Sequence, residues 1–276
     1  MNPELPRIAI LGAGSMGGAI LAGVVDSGLA RSGVVVTNRS AAKADGIRLD
    51  GVESIALERD PDGNRTAVAG ARLVLLGVKP AMVPDLLREV ADALPADAVV
   101  VSLAAGVTTA TMEALVPNAV VRSMPNTPSV VRRGVTGIAA GSRADADDLA
   151  LVRALFETVG SVVELAEDRI DALGTISGSG PAYVFFLMER LTESARHLGF
   201  DDAQARMLVE ETFRGASELL AASDVDPAEL RRRVTSPKGS TERAIAVLEE
   251  ADLTAVFDRA VAAAHARSKE MAAEAG

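Results

Sequence analysis

IAILGAGSMGGAILAG, residues Ile8 to Gly23, changes character twice, from a short apolar run to a glycine-rich break and back to small and aliphatic residues. Ile8 to Leu11 has the length of a buried strand, and the residues after Gly17 follow helical spacing. The stretch reads as a strand, a tight turn and the start of a helix. In the pattern Gly12-x-Gly14-x-x-Gly17, the first glycine permits the bend, the second lets a pyrophosphate approach the backbone, and the third lets helix and strand pack closely. Gly12, Ala13, Gly14, Ser15, Met16 and Gly17 are therefore the candidate phosphate cradle, with the free N–H groups and positive dipole end of the helix facing the ligand. A competing reading exists. Ile8 to Val25 carries no charge, as in a signal-peptide core or a membrane span behind Arg7. Glycines at 12, 14, 17, 18 and 23 argue against a plain apolar helix, and a chain without cysteine gives an oxidising destination no support.

The length of 276 residues suits one large or two ordinary domains, and 49% apolar residues suffice for their cores. A net charge of −10 disfavours nucleic acid and anionic membrane as partners, so Arg231-Arg232-Arg233 reads as a solvated helix face. The two histidines, His197 and His265, fit no metal-ligand spacing, and no metal is expected.

Val34 to Thr37 reads as a second strand. Asn38, Arg39 and Ser40 follow at its carboxyl end, where an NAD-binding chain usually carries an acid for the ribose 2′-hydroxyl. An amide, a guanidinium and a hydroxyl suit a 2′-phosphate instead, which points to NADP; an ordinary polar loop is the alternative. Further strands are expected at Leu73 to Val78, Ala98 to Leu103, Ala119 to Arg122, Gly137 to Ala140 and Ser161 to Leu165. Helices are expected through Asp85 to Val90 and over Asp145 to Thr158, and Met124-Pro125-Asn126-Thr127-Pro128 forms a rigid connection. Small residues at Ala104-Ala105-Gly106 leave room for a flat ring against the backbone. Such alternation means an α/β fold with a mostly parallel sheet covered on both faces.

After Glu167 only helical periodicity remains, over 182–198, 202–222, 227–234, 240–251 and 253–274. Phe185, Phe186, Leu187, Met188 and Leu191 put apolar surface on more than one face, which predicts a dimer or larger assembly. Two segments open helices here. Ser177-Gly178-Ser179-Gly180-Pro181 reads as a loop before a helix from Ala182, either binding a ligand or starting the helix. Thr235-Ser236-Pro237-Lys238-Gly239-Ser240-Thr241 offers hydroxyls and free N–H groups to a small carboxylate, or merely caps the next helix.

GAGSMGGAI at Gly12, GVKP at Gly77, SLAAGV at Ser102, RSMPNTP at Arg122, SGSGPAYVF at Ser177, VTSPKGST at Val234 and ARSKEM at Ala266 together resemble the pyrroline-5-carboxylate reductases along nearly the whole chain. The resemblance implies a Rossmann-type NADP-binding domain over 1–166 and an all-helical dimerisation and substrate-binding domain over 167–276. It implies a cytoplasmic enzyme of proline biosynthesis, assembled as a dimer with decamers as a further level, using NADPH with NADH as the weaker donor. The cradle would hold the pyrophosphate, while Asn38, Arg39 and Ser40, with Asn64 nearby, would hold the 2′-phosphate end. Val78, Lys79, Pro80 and Ala105 would contact ribose and nicotinamide. The substrate carboxylate would lie on Ser236, Lys238, Gly239, Ser240 and Thr241, with Asp224 and Glu167 near the site. Thr241 is the catalytic candidate, hydrogen bonded to the ring nitrogen or carboxylate of the cyclic imine.

The chain departs from the family pattern at Lys238, usually a glycine, and at Ser240, usually threonine. Glycine there can take positive φ and lysine does so at a cost, so either the loop needs ordinary angles or its shape has shifted. The Lys238 ammonium either faces solvent or draws in the carboxylate. Other dehydrogenase chemistries fit poorly. The single tyrosine, Tyr183, has Leu187 and not lysine four residues on, and none of Lys43, Lys79, Lys238 and Lys269 lies in the helix after Gly180. Two alternatives remain open: a regulator that binds the dinucleotide without turnover, and an imine reductase acting on a related cyclic imino acid.

Overall fold

Strands of four to seven residues with almost unbroken apolar sequence build the first half of the chain, because their sheet is buried on both faces. The computed structural model describes residues 4–275, with side chains through 270. The strands are β1 (Ile8–Leu11), β2 (Val34–Asn38), β3 (Val52–Ala56), β4 (Leu73–Leu76), β5 (Val99–Ser102), β6 (Ala119–Met124), β7 (Gly134–Ala140) and β8 (Gly160–Glu164). They form one eight-stranded sheet in the order β3-β2-β1-β4-β5-β6-β7-β8. Every pair is parallel except β6 and β7. That exception follows from the proline-rich link, which reverses the chain through a 3-10 turn over Thr127–Val131 closed by Arg132 at φ 58.

Helices α1 (Ser15–Ser27), α2 (Ala41–Asp45), α3 (Gly63–Val68), α4 (Val83–Val90), α5 (Thr109–Glu113) and α6 (Ala146–Glu157) alternate with the strands. Alternate strand residues separate the two cores. Ile8, Ile10, Val34, Val36, Leu73 and Leu75 pack with Ile20 and Val24 of α1 and Leu155 and Phe156 of α6. Ala9, Leu11, Val35, Val74 and Leu76 face Val68 of α3 and Leu86, Leu87 and Val90 of α4. The uncharged run from Ile8 is thereby split between a buried strand and a separate helix, which removes the continuous membrane span; no described helix is long and apolar enough to cross a membrane.

The sheet holds one strand that the sequence reading lacks, β3, and β7 begins three residues before the expected Gly137, at Gly134. Beyond β8, α7 (Ile170–Leu173) runs into a π-helical turn at Gly174–Gly178, followed by α8 (Gly180–His197), α9 (Asp202–Ala221), α10 (Pro227–Arg233), α11 (Ser240–Glu250) and α12 (Leu253–Ala275). The chain divides into two compact units, one of residues up to Ser179 plus Ala264 onward, the other Gly180–Ala263. In the second, helices agree with the expected segments to within two residues at each end. Phe185, Phe186 and Leu191 stand 60%, 58% and 47% exposed, far more apolar surface than solvated helices carry singly. Two residues of the basic run of α10 are answered within their own helix: Arg232 and then Arg233 donate to Glu229 and pull its carboxyl down to about 2, while Arg231 donates to Glu249 of α11 at 3.2 Å.

Candidate active site

The ends of β1 and β4 press backbone against backbone. A Cβ on Gly77 would lie 2.2 Å from the Gly12 carbonyl oxygen, and one on Gly12, at φ +95, would lie 2.9 Å from the oxygen of Gly77. A Cβ on Gly17 would lie 2.6 Å from that same Gly12 oxygen, so Gly17 is what lets α1 start this close to the strand. Gly14 differs: nothing stands within 4 Å of its Cβ position. Three glycines are thus dictated by closeness, and the fourth leaves the backbone bare to a ligand. No side chain caps α1, whose N-cap is Gly14, and its first turn holds no acid. Ala13 and Met16 pack against the core while Gly14 and Ser15 are exposed. This bare, uncapped cradle fits a dinucleotide pyrophosphate.

At the end of β2, Asn38 is buried and its Nδ2 has no hydrogen-bond partner among the described residues. Arg39 beside it is exposed, with no ion pair among the described residues. Ser40 caps α2, its hydroxyl accepting from the Lys43 N–H at 3.4 Å. An orphaned amide and an unpaired guanidinium are what an unengaged anion-reading segment should look like. Asn64 is placed otherwise. Its Oδ1 accepts from Thr37 at 2.8 Å and its Nδ2 donates to Glu89 at 3.0 Å, so the side chain braces β2 against α4. Val78 is half-buried, Lys79 exposed, and Pro80 begins a 3-10 turn, Pro80–Met82, in which the Lys79 carbonyl accepts from the Met82 N–H. Ala105 lies half-buried in the turn between β5 and α5, next to Gly106 at φ 77.

The SGSGP segment is not the expected loop. Ser177 and Gly178 belong to the π-helical turn, in which the Ser179 N–H reaches back to the Gly174 carbonyl at 3.0 Å, and α8 starts at Gly180 rather than Ala182. Such single π turns inside helices are frequent at functional sites. Asn126 holds this one in place, donating to the Ser177 carbonyl at 2.8 Å while its Oδ1 accepts from the Val135 N–H at 2.8 Å. From the sequence the MPNTP link is a rigid connection and one of the motifs of the family resemblance. Its asparagine is in fact the pin between two motifs.

Glu167 has both carboxylate oxygens in use. Oε1 accepts from the Thr109 N–H at 2.7 Å and Oε2 from the Thr109 hydroxyl at 2.5 Å, and the buried Arg122 lies 3.6 Å from Oε1. Arg122 also donates to Asp171 at 2.6 Å. A carboxylate so engaged joins β6 to the start of α5 and keeps one acceptor site on each oxygen, while Asp224, the other acid of the expected pair, is exposed between α9 and α10.

In the second unit, the loop before α11 keeps the left-handed residue that the sequence made uncertain. Lys238 sits at φ 63, its side chain exposed and its N–H donating to Glu242 at 2.9 Å. Gly239 is the N-cap and no side chain caps the helix. The hydroxyls of Ser236, Ser240 and Thr241 make no hydrogen bond among the described residues. Simple capping would have engaged one of them, and none is engaged.

Residues 167–271 match the family model for pyrroline-5-carboxylate reductase dimerisation, and residues 7–106 match that of NADP oxidoreductase, coenzyme F420-dependent. A curated pyrroline-5-carboxylate reductase of Pseudomonas aeruginosa is 38% identical over 278 residues, covering 98% of both chains. The chain belongs to the pyrroline-5-carboxylate reductase family. The solved structure of a pyrroline-5-carboxylate reductase from Coxiella burnetii, 37% identical, superposes with a TM-score of 0.89 over 98% of each chain. That of Plasmodium falciparum pyrroline carboxylate reductase with NADP bound, 24% identical, shares the fold at a TM-score of 0.81, covering 98% of this chain and 99% of that one. Within the family, the dimerisation match and the exposed phenylalanines of α8 support self-association.

Proposed function

We propose that the chain reduces the cyclic imine 1-pyrroline-5-carboxylate to L-proline with NADPH, the last step of proline biosynthesis. The observation that carries the reading is the opening of α11, where Ser236, Ser240 and Thr241 keep free hydroxyls at an uncapped helix start. Hydroxyl donors, unpaired N–H groups and the positive helix end together suit a small carboxylate. NADPH, when bound, supplies the hydride for the imine carbon. The cradle at Gly14 and the segment Asn38 to Ser40 would hold the dinucleotide, and Val78 to Pro80 with Ala105 would border its nicotinamide half. A protonated imine is already a good electrophile, so the protein's main task is to fix two reactants in register, which contributes several kcal/mol. Thr241 would donate its hydroxyl to the substrate, and the exposed Asp224 would favour the iminium electrostatically.

The same reading takes NADH as a weaker donor, a cytoplasmic location, a homodimer that assembles further into decamers, and neither nucleic acid nor membrane as partner. The test is the loss of NADPH absorbance on adding 1-pyrroline-5-carboxylate to purified protein, with proline identified by mass spectrometry. Turnover to proline is expected. Tight NADPH binding without turnover would mark a regulator instead, and faster turnover of a six-membered cyclic imine would move the substrate assignment.

A further inference from the structure

The strand end that should read the 2′-position has no acid of its own in the sequence, yet the fold brings one to it. In the β2–β3 register Asn38 stands opposite Ala56, so the chain leaving β3 runs beside the chain leaving β2. The Leu57 N–H donates to the Asn38 carbonyl at 2.9 Å, and the Glu58 N–H donates to the Arg39 carbonyl at 3.1 Å. The Glu58 side chain then turns back, its Oε2 accepting from the Ala41 N–H at 2.8 Å. These bonds staple a carboxylate across Asn38-Arg39-Ser40. Among the described residues Glu58 has no salt bridge: the neighbouring Arg59 feels its charge but is held by Asp45 in a two-pronged pair at 2.7 and 2.6 Å.

We propose that Glu58 is a specificity-determining residue that lowers the preference for NADPH over NADH. This rests on the cofactor assignment of the preceding section. An acid near the adenosine ribose is the usual acceptor for the 2′-hydroxyl of NADH and a like charge toward the 2′-phosphate of NADPH. Dinucleotide folds ordinarily place that acid at the end of the second strand. Here the end of the third strand delivers it, with Arg39, exposed and unpaired, as the opposing attraction for phosphate. The segment therefore carries one charge of each sign, and discrimination between the two cofactors is their difference.

The test is direct binding, by titrating purified protein with NADPH and with NADH and following nicotinamide fluorescence, for the wild type, Glu58→Gln and Glu53→Gln. Glutamine keeps an oxygen to accept from Ala41 and removes the charge. Glu53→Gln removes the same charge from within β3, three residues before its last residue, Ala56. Glu58→Gln should tighten NADPH about three- to tenfold without tightening NADH, and the gain should shrink at high salt as screening replaces the lost repulsion. Glu53→Gln should leave the ratio of the two dissociation constants alone. An unchanged ratio in Glu58→Gln, or an equal shift in Glu53→Gln, would overturn the role of Glu58 while the cofactor assignment stands. A wild type that binds neither dinucleotide would overturn both together.

Discussion

Two turns in this chain call for unusual backbone, and they obtain it by different means. At Gly12 and Gly77 the demand is closeness: two strand ends touch through their backbones, and any Cβ would sit inside a neighbouring carbonyl. At Lys238 the demand is only an angle, φ 63, with the side chain free in solvent. Closeness admits glycine alone, whereas a left-handed angle is a matter of about 1 to 2 kcal/mol that a lysine can meet if the rest of the loop holds it. The comparison separates glycines that a fold requires from glycines that it merely prefers. It also explains how a lysine can stand at position 238 although the angle there is left-handed.

The comparison breaks most directly at Gly77. Gly77→Ala puts a methyl group 2.2 Å from the Gly12 oxygen, with backbone on both sides and no flexible side chain to move aside. Overpacking of this kind costs about 3 kcal/mol. The variant should unfold at clearly lower denaturant and lose NADPH affinity as the cradle shifts. A Gly77→Ala protein with wild-type unfolding midpoint and wild-type NADPH affinity would mean that the two strand ends do not touch as described.

Thr241→Ala probes the other turn for function alone. Its hydroxyl has no partner among the described residues, so its removal should leave the unfolding midpoint in place. If the hydroxyl bonds the substrate in the transition state, kcat/KM for 1-pyrroline-5-carboxylate should fall by about 1 to 3 kcal/mol, roughly five- to 150-fold. Unchanged kcat/KM would take Thr241 out of the reaction. A lowered midpoint would show that the residue is structural after all.

The contrast between closeness and angle also accounts for what the sequence made legible. β1, β4 and β5 are visible because burial on both faces leaves only Val, Ile, Leu and Ala apart from Ser102 at the end of β5, and the first turn is visible because closeness admits only glycine. β3, Val-Glu-Ser-Ile-Ala, lies at the sheet edge with only Ala56 buried, so pairing with β2 decides it and no apolar run announces it. The early start of β7 is set by Gly134 against Gly160, where a Cβ on Gly160 would lie 2.0 Å from the Gly134 oxygen. The π-helical turn has no composition of its own; its bond from Ser179 to Gly174 and its pin at Asn126 are facts of packing between distant residues. Glu167 shows the same limit from the side of function. Its engagement by Thr109, fifty-eight positions away, is invisible in a motif and changes what its charge can do.

Lys238→Gly gives the smallest expected effect, but it isolates the cost of the left-handed angle. Glycine removes the steric penalty at φ 63, about 1 to 2 kcal/mol, and returns part of it through the greater freedom of the unfolded chain, about 0.5 to 1 kcal/mol. The net stabilisation should be about 1 kcal/mol or less, read as a modest rise in the denaturant midpoint. The bond from the Lys238 backbone N–H to the Glu242 carboxylate does not use the lysine side chain and survives the change, so the loop itself should not move. If the exposed ammonium only faces solvent, the KM for 1-pyrroline-5-carboxylate stays constant as the midpoint rises. If the ammonium draws in the carboxylate, KM rises with the gain in stability, and the rise fades with added salt because the attraction is between exposed charges. A fall in the midpoint would contradict the steric account, since nothing else in the loop gains from a lysine at a left-handed position.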